Sequence, residues 1–340
     1  MGDKPAVTLA NAYLMKSRFA LALLSGHVDL PDAGPVVVFH PDGAFDLGPV
    51  DPVRITAVQG FFPDHQALKA RKIITATEAP DEQAIAAVVC VSKSKAETLD
   101  LIASACAVTP KGATIVVDGP KEAGIESVLK LCRQMAEVGP VFSKAHGKVF
   151  AFPNPGQAPD GWAAAPQTVD GYSTRAGVFS ADGIDPGSRA LVAALPPLKG
   201  TVCDLGAGWG YLSAEVLAHC PAVTSVDLVE ADWTALACAR DNVTDARAAF
   251  HWADARDWTG RYDTVISNPP FHIGRDTVPA LGQAFISQAA RLIAPRGQFL
   301  MVANRHLPYE TTLRTAFTEV VVLAETGGYK VISAKRPAKR

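Results

Sequence analysis

From Gly200 onward, short apolar runs alternate with longer helical patterns, and this rhythm restricts the fold more than any other property of the 340-residue chain. Thr201 to Leu205, Thr224 to Glu230, Ala248 to Trp252, Tyr262 to Ser267, Gly297 to Ala303, Val320 to Ala324 and Tyr329 to Ser333 read as strands. Helical stretches lie between them, notably Trp209 to His219, Trp233 to Val243 and Leu281 to Ile293. A strand that returns to its sheet after a helix pairs in parallel through a right-handed crossover, so this half predicts a seven-stranded, doubly wound α/β sheet.

The length suggests two domains. Phe152-Pro153-Asn154-Pro155-Gly156, continued by Pro159, Gly161 and Pro166, is rich in residues that break regular structure, which places a boundary near 160 and domains at 1–160 and 161–340. Ala87 to Val91, a helical stretch, then Thr109 to Val117 follow the same order as Thr264 to Ser267, a helix, then Ala294 to Val302. That echo suggests duplication. The first copy has Ser92-Lys93-Ser94-Lys95 where the second has Asn268-Pro269-Pro270-Phe271, and its opening strand Val36 to Phe39 leads into His40-Pro41-Asp42-Gly43, with no glycine-rich loop. The first half is therefore expected to keep the fold and lack the chemistry.

A hydrophobic content of 48% with balanced charge fits an ordinary α/β protein, and a net charge of −2 argues against a wholesale electrostatic grip on nucleic acid. A local patch stays open, the tail Lys335 to Arg340 being one candidate and a solvated terminus the other reading. Cys90, Cys106, Cys132, Cys203, Cys220 and Cys238 form no C-x-x-C pair and several sit in apolar runs, which predicts buried thiols and a cytoplasmic setting. No apolar run approaches the ~20 residues that span a bilayer. Phe19 to Leu24 reads as a helix face rather than a signal segment.

Two motifs carry chemistry. Asp204-Leu205-Gly206-Ala207-Gly208-Trp209-Gly210 closes a strand and opens a helix, the context of a cofactor loop, but Tyr211 breaks the dinucleotide spacing G-x-G-x-x-G. A carboxylate at Asp204 would repel a pyrophosphate and suits a ligand bearing an ammonium and a sulfonium, as S-adenosylmethionine (AdoMet) does. Glu230, at the end of the next strand, is placed to accept from ribose hydroxyls, with Asp227 a competitor inside the strand, and Asp254 follows the third strand, placed to accept from an adenine amine. At the second motif, Pro269 and Pro270 stiffen the corner after Tyr262 to Ser267. Asn268 and the Pro269 carbonyl could accept the two protons of an exocyclic amine on a planar group stacked on Phe271. Read alone, the corner is a proline-rich turn.

With Asp204 to Gly210, Glu230, Asp254 and Asn268 to Phe271 in this order, the second half resembles the class I AdoMet-dependent methyltransferases that modify exocyclic amines. Gly177 to Ser180, Asp182 to Ser188, Val302 to Asn304, Leu307 to Tyr309, Thr326-Gly327 and Lys330-Val331 narrow the resemblance to the bacterial small-subunit ribosomal RNA guanine-N2 methyltransferases of the RsmC type. It implies two tandem Rossmann-like methyltransferase domains, the first degenerate and helping to present RNA, and a monomer acting on ribosomal RNA or the small subunit. It also implies that Asp204, Gly206, Ala207, Gly208, Gly210, Glu230, Asp254 and Asn268 hold the cofactor, and that Asn268, Pro269, Pro270 and Phe271 orient the guanine amine without a metal or a covalent nucleophile. Phe179, Asp185 and Ser188 are expected to cover the methionine end of the cofactor, and Phe179, Asn304, Arg305 and Tyr309 to line the substrate entrance. Gly328 stands where the family can have a basic residue, so one RNA contact is in doubt. The competing readings are methylation of adenine N6 or of a protein glutamine, and a non-catalytic RNA-binding assembly factor that keeps a vestigial fold.

Overall fold

The computed structural model describes residues 17–270, 272–273, 276–277 and 279–338. The chain divides into two compact units, one reaching to Ala165 and the other starting at Pro166.

In the first unit, β1 (Val36–Phe39), β2 (Ile55–Val58), β3 (Ile74–Ala76), β4 (Ala86–Cys90), β5 (Thr114–Pro120), β6 (Phe142–Lys144) and β7 (Gly147–Pro153) form one sheet in the order β3-β2-β1-β4-β5-β7-β6. Helices α1 (Arg18–Leu24), α2 (Phe62–Ala70), α3 (Lys95–Val108) and α4 (Ile125–Met135) accompany it. The pleat sends alternate residues to opposite faces, and both faces are covered. Val37 and Phe39 enter one core cluster with Ile102 and Leu129, while Val36 and Val38 enter another with Phe19 and Leu68.

The second unit opens with a hairpin, β8 (Gln167–Val169) and β9 (Tyr172–Thr174), then α5 (Pro186–Ala193). There follow β10 (Lys199–Leu205), α6 (Tyr211–His219), β11 (Ala222–Glu230), α7 (Trp233–Asn242), β12 (Ala248–Trp252), β13 (Tyr262–Ser267), β14 (His272–Ile273), β15 (Asp276–Thr277), α8 (Pro279–Leu292), β16 (Ile293–Asn304), α9 (Glu310–Ala316), β17 (Phe317–Thr326) and β18 (Tyr329–Pro337). The main sheet runs β12-β11-β10-β13-β16-β18-β17, the order of the first unit, and in each sheet one strand, β7 or β18, runs against the others. Among the described residues β14 and β15 pair only with each other.

All seven strands expected after Gly200 are present. β17 runs longer than Val320 to Ala324 because Glu319, Glu325 and Thr326, polar residues on an edge strand, still pair with β18 across the Gly327-Gly328 turn, where both φ angles are positive (+57° and +87°). The supposed linker differs more. Phe152 and Pro153 belong to β7, and the buried Asn154 donates through Nδ2 to the Cys106 and Thr109 carbonyls at 2.9 Å each. Trp162 packs on the first core and the Ala164 amide donates to Asp100 at 2.7 Å, so these residues finish the first unit rather than link two.

Candidate active site

The carboxyl edge of the second sheet gathers the acids. Asp204 is fully buried near the end of β10, where Oδ2 accepts from the Ser213 hydroxyl of α6 at 2.7 Å, while Oδ1, also buried, has no partner among the described residues. Burial, together with Glu230 nearby, lifts its pKa to about 7 despite the Ser213 hydrogen bonds. Glu230 ends β11. Its Oε2 accepts from the Gly208 amide at 2.7 Å and its Oε1 from the Asp232 amide at 2.8 Å, and burial again lifts the pKa to about 7. Asp227, the competitor, is used structurally, accepting from His251 at 3.1 Å and from the Tyr262 hydroxyl at 2.7 Å.

The glycines have separate tasks. Gly210 caps α6 in the left-handed region (φ +90°), and a Cβ there would press on Val243 and Ala239. A Cβ on Gly208 (φ +56°) would meet nothing within 4 Å, so this glycine leaves open space beside the acids.

Asn268 follows β13. Its Nδ2 donates to Asp185 Oδ2 and to Ser188 Oγ, each at 2.8 Å, while Oδ1 is buried without a partner among the described residues. Phe179, Ser180, Asp185, Ser188, Gly206, Gly208 and Asn268 line one open cleft of about 380 Å³. Ala207, Trp209, Tyr211 and Leu212 complete it. Phe179 is 61% exposed at this cleft, and its carbonyl is held by the Trp209 indole at 2.9 Å.

The structure therefore brings Asp204, Gly206, Ala207, Gly208, Glu230, Asn268 and Phe179 to one edge. It places Asp185 and Ser188, expected over the cofactor's methionine end, on Asn268, and it adds Trp209 and Tyr211. The Asp185-Pro186-Gly187-Ser188 stretch signals a helix start, and the Ser188 amide does donate to Asp185 at 2.8 Å, but local sequence says nothing about an asparagine 80 residues away.

Two expectations change. Asp254 is taken up by Arg256, whose backbone amide and guanidinium nitrogens approach both carboxylate oxygens at 2.5–3.0 Å; burial raises its pKa, but those bonds outweigh it and hold the carboxyl low. An adenine amine would have to compete with that guanidinium. Tyr309 does not line an entrance. It is 1% exposed in the core with Leu307, Leu313 and Phe317, where a Cβ on Gly282 would collide with its hydroxyl. Asn304, the last residue of β16, and Arg305 are exposed, with Asn304 accepting from the His306 amide at 3.1 Å and the Arg305 amide donating to the Gly328 carbonyl at 2.8 Å. Phe271 lies outside the described residues, as do Lys339 and Arg340 of the basic tail. Pro269 is buried and Pro270 exposed.

Residues 171–333 match the family model of the methyltransferase small domain, and residues 53–158 match that of the methyltransferase small domain N-terminal. Ribosomal RNA small subunit methyltransferase C of Enterobacter sp. (strain 638) is 34% identical over 253 residues, covering 70% of this chain and 72% of the relative. The chain belongs to the ribosomal RNA small subunit methyltransferase C family. The family member of Shewanella loihica is 32% identical over 240 residues, 66% of this chain and 69% of that protein. The fold is also that of the T. thermophilus 16S rRNA N2 G1207 methyltransferase (RsmC), solved in complex with AdoMet and guanosine, at a TM-score of 0.79 and 23% identity over 94% of this chain and 92% of that one. Among the described residues no helix is long and apolar enough to cross a membrane.

Proposed function

We propose that this chain transfers the methyl group of AdoMet to the exocyclic N2 amine of a guanine in 16S ribosomal RNA. The observation that carries the reading is the Oδ1 of Asn268, a buried acceptor with no partner among the described residues in a residue that lines the cleft. The cofactor suits the acids at the same sheet edge: Asp204 holds a buried oxygen with no partner among the described residues, Glu230 holds the amide of Gly208 in the cleft wall, and both acids gain from a cationic ligand. When bound, AdoMet supplies an electrophilic methyl group on a sulfonium.

The residues divide the remaining work. Asp204 faces the cofactor's ammonium and Glu230 its ribose, while Gly206, Ala207 and Gly208 keep the backbone thin at the cleft. A guanine amine is a poor nucleophile because its lone pair is delocalised into the ring. Hydrogen bonds accepted by Asn268 Oδ1 and the Pro269 carbonyl favour a pyramidal nitrogen whose lone pair is free to attack, and holding it in line removes much of the remaining barrier. Phe179, exposed at the cleft, offers a face for a base taken out of its stack. Asn304 and Arg305 extend the RNA contact, and the first unit helps present the substrate. The protein works as a monomer in the cytoplasm, a setting supported by six unpaired cysteines, five of them buried.

Mass mapping of methylated guanines in 16S rRNA from cells with and without this protein tests the reading. One N2-methylguanine should vanish on deletion and return when the protein is added to the unmodified RNA or subunit. An unchanged map would refute it.

A further inference from the structure

We propose that Asp185, seconded by Ser188, is a positioning residue that sets the Asn268 amide so that its oxygen, and not its nitrogen, faces the acceptor amine. This rests on the guanine-amine reading above. An asparagine is ambiguous by itself, since its oxygen and nitrogen are nearly equal in size and only the neighbours decide which points where. Here the neighbours decide. Asp185 Oδ2 can only accept, and it lies 2.8 Å from one side of the amide, so that side must be Nδ2. Ser188 Oγ, also at 2.8 Å, takes the second Nδ2 proton. Oδ1 is thereby turned the opposite way, and it is this atom that is buried without a partner among the described residues.

The clamp is itself held. Asp185 caps α5 and accepts from the Ser188 amide at 2.8 Å with the same oxygen that meets Asn268, and a Cβ on Gly187 would strike both Asp185 Oδ2 and Tyr329 at 2.9 Å. The carboxylate therefore has little freedom to leave. An amide that donates to an anion is polarised, which makes its oxygen a better acceptor. Asp185 and Ser188 also line the cleft with Gly206 and Gly208, so one short segment holds the acceptor's partner and walls the cofactor's place.

The test uses the full chain and four variants, Asp185→Ala, Ser188→Ala, their combination and Asp185→Asn. Each single alanine variant leaves one acceptor and should lose less than about tenfold in kcat, while the pair should lose about 100-fold, with AdoMet Kd and RNA KM within about threefold of wild type. Asp185→Asn keeps an oxygen that caps α5 and receives Nδ2, so it should stay within about fivefold of wild type, a rescue that a merely electrostatic role would not give; unchanged AdoMet Kd and RNA KM in the double alanine variant separate the clamp from a folding role. Wild-type kcat in the double variant, a loss confined to AdoMet Kd, or Asp185→Asn as impaired as Asp185→Ala overturns the proposal. A second readout stands apart from the substrate: in asparagine-labelled protein, the Asn268 Nδ2 protons, identified by their absence in Asn268→Ala, should exchange about tenfold faster in the double alanine variant than in wild type. If wild-type protein methylates no guanine in either RNA or subunit, the functional reading fails and this exchange alone decides the clamp; equal exchange rates defeat it.

Discussion

The two sheets share one strand order, and their equivalent edges show how a site is lost while its scaffold is kept. Val58 pairs with Phe39 as Val229 pairs with Leu205, and the His40 amide donates to Val58 at 2.8 Å as the Gly206 amide donates to Val229 at 2.9 Å. On that register Gln59 stands where Glu230 stands, Val38 where Asp204 is, and His40 takes the left-handed place of Gly206 (φ +58° against +77°). Gln59 and Glu230 each accept the amide two residues on, at 2.7 and 2.8 Å. Their other contact is inverted: Glu230 accepts from the Gly208 amide, whereas Gln59 Nε2 donates to the Pro41 carbonyl at 2.6 Å. The same peptide group is turned over. A carboxylate demands an N–H there, and an amide nitrogen demands a carbonyl.

The acceptor corner shows a similar change, two residues away from where the sequence echo put it. Phe39 pairs with Val89 and Asp204 with Ile266, which sets Cys90 opposite Asn268, rather than Ser92. Burial and the nearby Asp118 push the Cys90 thiol up, leaving a neutral weak donor where the second unit has a free amide oxygen. Ser92 to Lys95 then close on themselves, with Ser92 donating to Glu97 and Ser94 accepting from the Glu97 amide at 3.2 Å as the cap of α3. Among the described residues, Ser92, Ser94 and Glu97 satisfy one another at this corner and offer no free amide oxygen.

Asn268 marks the largest functional difference between the two units. Asn268→Ala should lower kcat on the order of 10²–10³-fold while AdoMet binding by calorimetry stays within about threefold. Next, Glu230→Gln imitates the first unit and should weaken AdoMet about 10- to 100-fold, since a charged acceptor is lost. A crystal structure of that variant should show the Ala207–Gly208 peptide turned over as at Pro41.

The pH dependence follows from two raised carboxyl pKa values, both about 7. Binding of a cation needs them ionised, so AdoMet Kd should rise below pH 7, by up to about tenfold per pH unit for each carboxyl. Stability without ligand has the opposite sense. The folded chain holds protons that the unfolded chain releases near pH 4, so this contribution is greatest below pH 4 and is lost as pH rises through 7. Thermal unfolding across that range, with and without AdoMet, reads both effects. The smallest change belongs to Gln59→Glu, which sets a buried carboxylate against the Pro41 carbonyl. It should cost about 1–3 kcal/mol in urea unfolding and confer no AdoMet binding, because Val38 and His40 still stand at the other positions.

Much of this was legible along the chain. The strands were visible because both faces of each sheet are covered, which makes the inner strands continuous apolar runs, and the glycine loop was visible because its spacing is local. Less legible were α5 and the β8–β9 hairpin, short elements whose polar residues serve caps and turns. Tyr309 misled because a tyrosine after a sheet edge reads the same whether its ring turns to solvent or, as here, into the core. Asp254 misled because its nearest competitor, Arg256, is only two residues away, and sequence does not say which of two available partners a carboxylate takes.

Local sequence was enough for the two α/β units, their shared order, the missing glycine loop of the first, and the placing of Asp204, Glu230 and Asn268 at strand ends of the second. These follow from periodicities and spacings that act over a few residues. It took the folded chain to show that the Asn268 oxygen, and not its nitrogen, lacks a partner among the described residues and that Glu230 and Gln59 hold the same peptide in opposite senses. Both are hydrogen-bond orientations, and orientation is set by whichever group the fold brings opposite, here from 83 residues away for Asn268 and 22 for Glu230.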